Sequence, residues 1–301
     1  MSATTAGSAA RPFAGLHRFG RGAVRFVRQQ PLGTLGLLVI LGMAAAAVGA
    51  DVLSPYDPEA ADFGAMLAPP SADHFLGTDS FGRDILTRLL FGARTALTIG
   101  LASSFLGCAA GGLLGLAAAY FGGKVDMLLQ QFVDIVLAFP IIVLALVVVA
   151  LVGRNALAGI DLNLIAAIAI PIVPRAERVV RAAALGVRAM PYVDAARAGG
   201  YGSTYIILRH IAPNVMAPFL VLLSAYVAQA ILLEASLSFL GLGVTEPKPA
   251  WGLMLSGDSA NFYQEAPWMI LFPGLAISLA VFAFNLFGDA LRDWLDPKFR
   301  N

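Results

Sequence analysis

Long apolar runs without a charged side chain are the feature that most constrains how this chain folds. Residues 96–121, for example, contain no charged side chain, and about 20 predominantly apolar residues are enough for a helix to cross the hydrocarbon core of a bilayer. Charged residues make up only 13% of the 301 residues, whereas a soluble domain contains about 25%. The composition therefore disfavours a disordered chain, a basic nucleic-acid-binding domain and an ordinary soluble enzyme.

The apolar runs predict an all-α polytopic membrane protein with six transmembrane helices. Asp126 and Asp134 lie within the third run. The fourth run is the weakest, because Asp161 lies near its start and Pro171 and Pro174 lie near its end. The six predicted spans cover residues 32–50, 96–121, 125–152, 156–173, 215–233 and 267–291.

The distribution of basic residues predicts the orientation of the spans. Six spans place both termini on the same side, and the segments on that side contain 15 of the 20 Lys and Arg residues. Because positively charged loops remain in the cytoplasm, we expect both termini to be cytoplasmic. The chain then divides into a basic cytoplasmic leader, a first span, an extracytoplasmic segment, a five-helix core and a cytoplasmic tail, at residues 1–31, 32–50, 51–93, 94–291 and 292–301.

The extracytoplasmic segment contains a short amphipathic stretch at residues 84–90. Ile85, Leu86, Leu89 and Leu90 share one helical face, while Arg88 lies on another. We interpret this stretch as a helix that lies in the membrane interface before the second span. The alternative is that it simply begins that span.

The cytoplasmic stretch between the fourth and fifth spans contains two helix signals separated by glycines. Glu177 and Arg181 precede it and are spaced for an ion pair one turn apart. Pro191 suits the first turn of a short helix, and glycines at positions 199, 200 and 202 can end it and allow another backbone to approach. Ser203 is a candidate N-cap for a second short helix. This pattern predicts a docking surface for another protein, with an ordinary connecting loop as the alternative.

Five short motifs, taken together, resemble those of one protein family. They are Leu76-Gly-Thr-Asp-x2-Gly-Arg-Asp84, Val133-Asp-Ile-x2-Ala-Phe-Pro140, Asp194-Ala-Ala-x3-Gly200 followed by Pro213, Glu234-Ala-Ser-Leu-Ser-Phe-Leu-Gly-Leu-Gly243 and Trp294-Leu-Asp-Pro-Lys-Phe-Arg300. Residues 191–213 resemble the EAA loop of ABC-importer permeases, with Asp194 where that pattern prefers Glu. The whole set resembles the C-type permease subunit of the dipeptide, oligopeptide and nickel group.

This resemblance implies a type I ABC importer permease fold in the cell's inner or plasma membrane. It implies transport of di- or oligopeptides, or alternatively of nickel or another small peptide-like substrate. The implied partners are a second permease subunit in a heterodimer, two ATPase subunits that bind ATP and Mg²⁺, and an extracytoplasmic substrate-binding protein. By match to the EAA loop, the ATPase-coupling residues would be Asp194, Ala195, Ala196, Gly199, Gly200 and Pro213.

The residues themselves predict no nucleotide or metal site in this chain. Val125 follows Lys124, and no glycine stands five residues before Gly123, whereas a phosphate-binding loop needs both features. The three histidines fall in separate segments of the predicted topology, so they do not converge on a metal. We therefore expect no cofactor, no catalytic residue and no nucleic-acid partner, and the energy for transport would come from the ATPase subunits.

Ionisable residues inside the predicted spans are candidates for function. Asp134 could line the translocation path or bond to a neighbouring helix, and we favour the structural role. Glu234, close to Ser236 at the outer end of the fifth span, could contact a substrate amine or form a solvated helix end. Asp289 is expected to pair with Arg292 one turn on. An aspartyl intramembrane protease, the alternative from another class, would have to pair Asp134 with Asp289.

Overall fold

The computed structural model describes residues 25–295, except for residues 153–155 and 158–159. Within these ranges the chain is mainly helical, and two short antiparallel strands pair Ala156 with Asp161. In chain order the elements are α1 (Pro31–Leu53), α2 (Ile85–Phe121), α3 (Gly123–Leu137), α4 (Ile141–Val152), β1 (Ala156–Leu157), β2 (Ile160–Asp161), α5 (Leu162–Arg188), α6 (Pro191–Ala198), α7 (Ser203–Ile206), α8 (Ala212–Phe239), α9 (Trp251–Met254), α10 (Asp258–Asn261) and α11 (Trp268–Leu295).

Four helices in the described part of the chain are long and apolar enough to cross a membrane. They are α1, α2, α11 and the continuous helix Ser203–Phe239, in which a π-helical stretch, Ile207–Ile211, joins α7 to α8. Helices α3 and α4 meet at a bend of 94° and count as a fifth span if the bent pair crosses as one. Pro140 lies at this bend, where it supplies no backbone donor to continue the helix.

The fourth predicted span differs from what the structure contains. Ala156–Leu157 and Ile160–Asp161 form the paired strands, and α5 begins at Leu162 and continues without a break to Arg188. Its second half carries ionisable side chains, including Glu177 and Arg178, so α5 is not among the helices apolar enough to span. The described residues thus give four or five candidate spans, which does not confirm the predicted six. The sides on which the termini lie remain predictions.

The predicted interfacial helix at residues 84–90 is part of α2. Asp84 is the N-cap of α2, and its Oδ2 accepts a hydrogen bond of 2.8 Å from the backbone N–H of Thr87. The helix then runs unbroken from Ile85 to Phe121. Arg88, which the amphipathic pattern placed on the polar face, is only 1% exposed. The alternative, that the stretch begins the second span, is the one the structure supports.

A stripe of glycines brings the backbones of α2 and α5 together. Gly107, Gly111 and Gly115 lie one turn apart on the face of α2 that contacts α5. A Cβ atom at Gly107 would lie 2.7 Å from the carbonyl oxygen of Ala169. A Cβ atom at Gly115 would lie 2.6 Å from the carbonyl oxygen of Glu177. Small residues at such spacing allow helices in a membrane to associate through close backbone packing.

Two tryptophans attach the start of α2 and the segment before it to α9 and α11. The indole N–H of Trp251 in α9 donates to the carbonyl of Leu89 over 3.0 Å. The indole N–H of Trp268 in α11 donates to the carbonyl of Thr78 over the same distance. Trp251 also packs in an apolar cluster that includes Ile85 and other buried side chains of α2, α8 and α11. The segment that precedes α2 is therefore fixed to the helices and does not lie apart from them.

We predict that Gly111→Ala destabilises the protein, because the new Cβ atom would overlap the carbonyl oxygen of Val173 on α5. Overpacking of this kind costs about 1–3 kcal/mol. The measurement is the free energy of unfolding of the purified chain in mixed micelles titrated with SDS and followed by circular dichroism. Gly42→Ala on α1 is the matched control, since no atom lies within 4 Å of its added Cβ. Equal stability of the two variants would contradict the close approach.

Candidate functional site

The predicted docking surface forms a short helix, a glycine turn and the start of a second helix. Pro191 is the first residue of α6, as its fixed backbone geometry favours, and the helix ends at Ala198. Gly200 then takes a φ of +79°, a conformation that residues with a Cβ atom rarely adopt. The predicted N-cap of the next helix is wrong by one residue, because Gly202 is the cap and Ser203 is already helical.

Helix α6 is anchored on its inner face by two buried side chains. Val193 is 0% exposed and Ala196 is 7% exposed. They pack in one apolar cluster with Ala119 of α2, Val180 of α5 and Val215 of α8. The guanidinium of Arg197 also lies 5.4 Å from the ring centre of Tyr120 on α2. A force applied to α6 therefore reaches the ends of three long helices directly.

The outer face of α6 and the glycine turn are exposed. Of the six predicted coupling residues, Ala196 points into the buried cluster and the other five are exposed, namely Asp194, Ala195, Gly199, Gly200 and Pro213. Nη1 of Arg197 lies 3.0 Å from Oδ1 of Asp194 on this face. Tyr201 and Tyr205 stack with ring centres 4.7 Å apart beside the turn. The surface thus combines small side chains, one ion pair and a pair of exposed aromatic rings.

The structure pairs Asp134 with Arg178 of α5, which is a contact between two helices. Two turns earlier on α3, both carboxylate oxygens of Asp126 accept hydrogen bonds of 2.6 Å from Nε and Nη2 of Arg181. The predicted pair of Glu177 with Arg181 is therefore wrong, because Arg181 is turned toward α3.

Glu177 instead contacts a neutral side chain of α3. It is fully buried, and its Oε1 accepts a hydrogen bond of 2.8 Å from Nε2 of Gln130. Its Oε2 has no hydrogen-bond partner among the described residues. Because Gln130 lies between Asp126 and Asp134 on α3, one face of that helix makes three successive polar contacts with α5.

Glu234 lies in neither of the two environments expected for it. It is 1% exposed, and its Oε1 accepts a hydrogen bond of 2.8 Å from the hydroxyl of Ser238 on the same helix. Ser236 is half-buried and lines an open, mostly apolar groove of about 500 Å³ that also contains Ser278 of α11. Of Glu234 and Ser236, it is therefore Ser236 that lines this groove.

The other expected ion pair at a helix end is also missing from the described part of the chain. Asp289 is exposed and forms no ion pair with Arg292. An aspartyl protease site gains no support either, because the partner of Asp134 is Arg178. Among the described residues, no group of three His, Cys, Asp or Glu side chains could hold a metal ion.

Sequence reasoning missed a cluster of four charged side chains on the predicted extracytoplasmic side. Arg83 bridges Asp79, with Nε 2.7 Å from Oδ2, and Glu246, with Nη1 2.5 Å from Oε2. Burial alone would lower the pKa of Arg83, but the hydrogen bonds and charges of Glu246 and Asp79 outweigh it and raise that pKa above its usual value. Arg88 completes the cluster. Asp79, Arg83 and Arg88 are close in the sequence, but Glu246 lies 163 residues after Arg83, so no local pattern signalled that the four side chains meet.

Family comparison agrees with the resemblance carried by the motifs. Residues 111–301 match the family described as the binding-protein-dependent transport system inner membrane component. Residues 18–70 match the N-terminal transmembrane domain of oligopeptide transport permease C. The chain therefore belongs to the family of inner membrane components of binding-protein-dependent transport systems, as a C-type permease and a multi-pass membrane protein.

Individual relatives cover nearly the whole chain. The dipeptide transport system permease protein DppC of Alkalihalophilus pseudofirmus is 42% identical over 93% of this chain and 90% of its own length. The glutathione transport system permease protein GsiD of Pectobacterium atrosepticum is 41% identical over 92% and 90%. The di/tripeptide permease DppC of Pseudomonas aeruginosa is 40% identical over 88% of each chain.

A solved structure shares the fold. A chain of the inward-facing MetNI methionine ABC transporter superposes with a TM-score of 0.51 and 17% sequence identity, covering 67% of this chain and 95% of that one. At this identity the likeness concerns the fold alone. It confirms the predicted all-α fold of a type I ABC importer permease.

We predict different strengths for the two ion pairs between α3 and α5. In the pair of Asp126 with Arg181, the side chains are 22% and 26% exposed, whereas in the pair of Asp134 with Arg178 they are 61% and 51% exposed. A double-mutant cycle with Asp126→Asn and Arg181→Gln should give a coupling of about 1 kcal/mol or more. The corresponding cycle for the exposed pair should stay below about 0.5 kcal/mol. Unfolding in SDS-containing micelles measures both, and equal couplings would refute the difference.

Proposed function

We propose that the chain is a permease subunit of an ATP-driven importer that moves di- and oligopeptides across the inner membrane. The substrate class rests on the relatives, which are named for dipeptides, di/tripeptides and glutathione. These cargoes have peptide or peptide-like backbones in common. The open groove beside Ser236 is mostly apolar and carries hydroxyl groups, which suits a substrate that is handled through its backbone.

The observation that carries the proposal is that α6 packs on three long helices with one face and exposes the other. Its inner face packs through Val193 and Ala196 against α2, α5 and α8. Its outer face, with Asp194, Ala195 and the turn at Gly200, is free to contact another protein. A partner that binds this face can therefore displace the long helices, as the coupling of ATP hydrolysis to transport requires.

The proposed assembly supplies what this chain lacks. A second permease subunit would complete the pathway as a heterodimer. Two ATPase subunits would bind ATP and Mg²⁺ and dock at residues 191–213, so that this chain itself carries no cofactor. An extracytoplasmic binding protein would select the peptide and deliver it to the outer side. Within this chain, Ser236 is the candidate path residue, while Asp134 and Glu234 have structural contacts within the helices.

We predict that Gly200→Arg releases the ATPase subunits from the assembled transporter. Gly200 is exposed with no atom within 4 Å of an added Cβ atom, so a long cationic side chain would project into the docking surface without damaging the core. The measurement is a pull-down of the tagged chain from membranes. The wild-type chain should recover a second permease and ATPase subunits, and the variant should recover the permease only.

Two controls test whether the loss of ATPase subunits comes from a bulky side chain at this position. One controls for backbone strain at Gly200, and the other for the presence of a new arginine elsewhere. Gly200→Asn keeps a residue that tolerates the positive φ and should retain the ATPase subunits. Gly186→Arg places the same new side chain on an exposed and unobstructed position of α5, and should also retain them. Recovery of no ATPase with the wild-type chain would refute the importer assignment, and failure of the reconstituted system to take up any peptide would refute the substrate class.

A further inference from the structure

A cavity of about 220 Å³ lies between the segment that precedes α2 and the short helices α9 and α10. Its apolar lining includes Met254 and Met269. Its polar lining includes the four charged side chains described above, Asp79, Arg83, Arg88 and Glu246. In the predicted topology this cavity opens toward the extracytoplasmic side, where a substrate would arrive.

Arg88 presents an unsatisfied edge of its guanidinium group in this cavity. The side chain is 1% exposed. Its Nη1 donates to the carbonyl oxygens of Pro58 and Pro247 over 2.9 and 3.2 Å. Its Nε and Nη2 have no hydrogen-bond partner among the described residues. Buried donors are normally paired, and leaving a charged one unpaired is costly.

Two carboxylates approach this edge without bonding to it. Oδ2 of Asp79 lies 3.7 Å from Nε of Arg88, and Oε2 of Glu246 lies 3.6 Å from Nη2. Both distances exceed that of a good hydrogen bond, and both carboxylates are bonded instead to Arg83. The Nε and Nη2 atoms form the fork that binds a carboxylate with two parallel hydrogen bonds. A carboxylate from outside the chain can therefore bond to this edge at the position beside Nη2 that Glu246 now takes.

The two resident carboxylates differ in how firmly they are held. Oδ1 of Asp79 accepts from the backbone N–H groups of Phe81 and Arg83, each over 2.9 Å, in addition to the contact of Oδ2 with the Arg83 side chain. Glu246 accepts hydrogen bonds from Nη1 and Nη2 of Arg83, and its side chain is 47% exposed. Glu246 can therefore turn toward solvent, whereas Asp79 is fixed.

We propose that the open fork of Arg88 is a subsite for the terminal carboxylate of the transported peptide, which takes the place of Glu246. This inference rests on the proposed function and adds a contact point for the substrate. The cavity contains two guanidinium groups and two carboxylates, so exchange of one carboxylate for another keeps its charge balanced. While Glu246 stays on Arg83, its charge opposes entry of a second anion. Glu246 is thus the resident competitor of the ligand.

The test uses the complete transporter, with its second permease and ATPase subunits, in lipid nanodiscs without the binding protein. Binding of radiolabelled dialanine is measured, with unlabelled dialanine, acetate and dialaninamide as competitors. We expect dialanine and acetate to compete and dialaninamide to be at least about tenfold weaker, because the amide lacks the charge that the fork recognises.

Three variants locate the effect. Arg88→Gln should weaken dialanine binding by about tenfold or more. Glu246→Gln should strengthen it by about threefold or more, because the competing charge is gone. Arg94→Gln, the matched control on the same helix, removes an exposed pair with Asp51 outside the cavity and should stay within about twofold. If Arg88→Gln fails to assemble, Glu246→Gln carries the test, since its side chain is half-exposed.

Equal competition by dialanine and dialaninamide, or unchanged affinity in Glu246→Gln, would overturn the subsite. Binding of labelled acetate without binding of dialanine would also overturn it, since the fork would then serve another anion. Uptake of dialanine by proteoliposomes that contain the binding protein tests the proposed function separately. If uptake occurs while acid and amide compete equally, only the subsite falls; if no peptide is taken up, both fall.

Discussion

The contact between the backbones of α2 and α5 is the constraint on which the rest of the structure depends. In a bilayer the hydrophobic effect does not drive one helix against another. Helix association there depends on van der Waals contact at close approach and on polar contacts. The stripe of Gly107, Gly111 and Gly115 supplies that approach. It fixes the rotation of α5 about its axis, and this rotation decides which of its charged side chains turn toward α3.

The contacts of the charged side chains in the second half of α5 follow from that rotation. With Gly115 against the carbonyl of Glu177, the Glu177 side chain is buried and faces Gln130, while Arg181 reaches Asp126. Charges at membrane depth are costly unless they are paired inside the protein. The three polar contacts therefore hold α3 against α5, although the apolar side chains of α3 are largely exposed.

The sequence predicted what depends on local pattern and missed what depends on contacts between distant segments. Four apolar helices and the short helix that begins at Pro191 follow from hydropathy and turn chemistry, and the structure contains them. The burial of Arg88 was not predictable from an amphipathic pattern, because its partners are carbonyls of Pro58 and Pro247. The spacing of the glycines on α2 was a usable local signal for helix packing, since small residues four apart favour close crossing. The burial of Glu234 was not predicted, because the position of a residue along a helix indicates its depth in the membrane but not which side chains surround it.

One helix, α2, connects the two proposed binding regions: the peptide subsite at Arg88 and the ATPase docking surface at α6. Helix α2 has 37 residues, about 55 Å at 1.5 Å per residue. Arg88 lies in its first turns, and Tyr120 near its last turn contacts Arg197 of α6. Because α2 is continuous and its middle packs closely on α5, we expect a displacement at α6 to be transmitted along α2 toward Arg88. Helix α8 offers a second route, since Val215 packs in the same cluster as Val193 of α6, and Glu246 lies on the connection that follows α8. The two proposed sites would thus be linked through the long helices themselves.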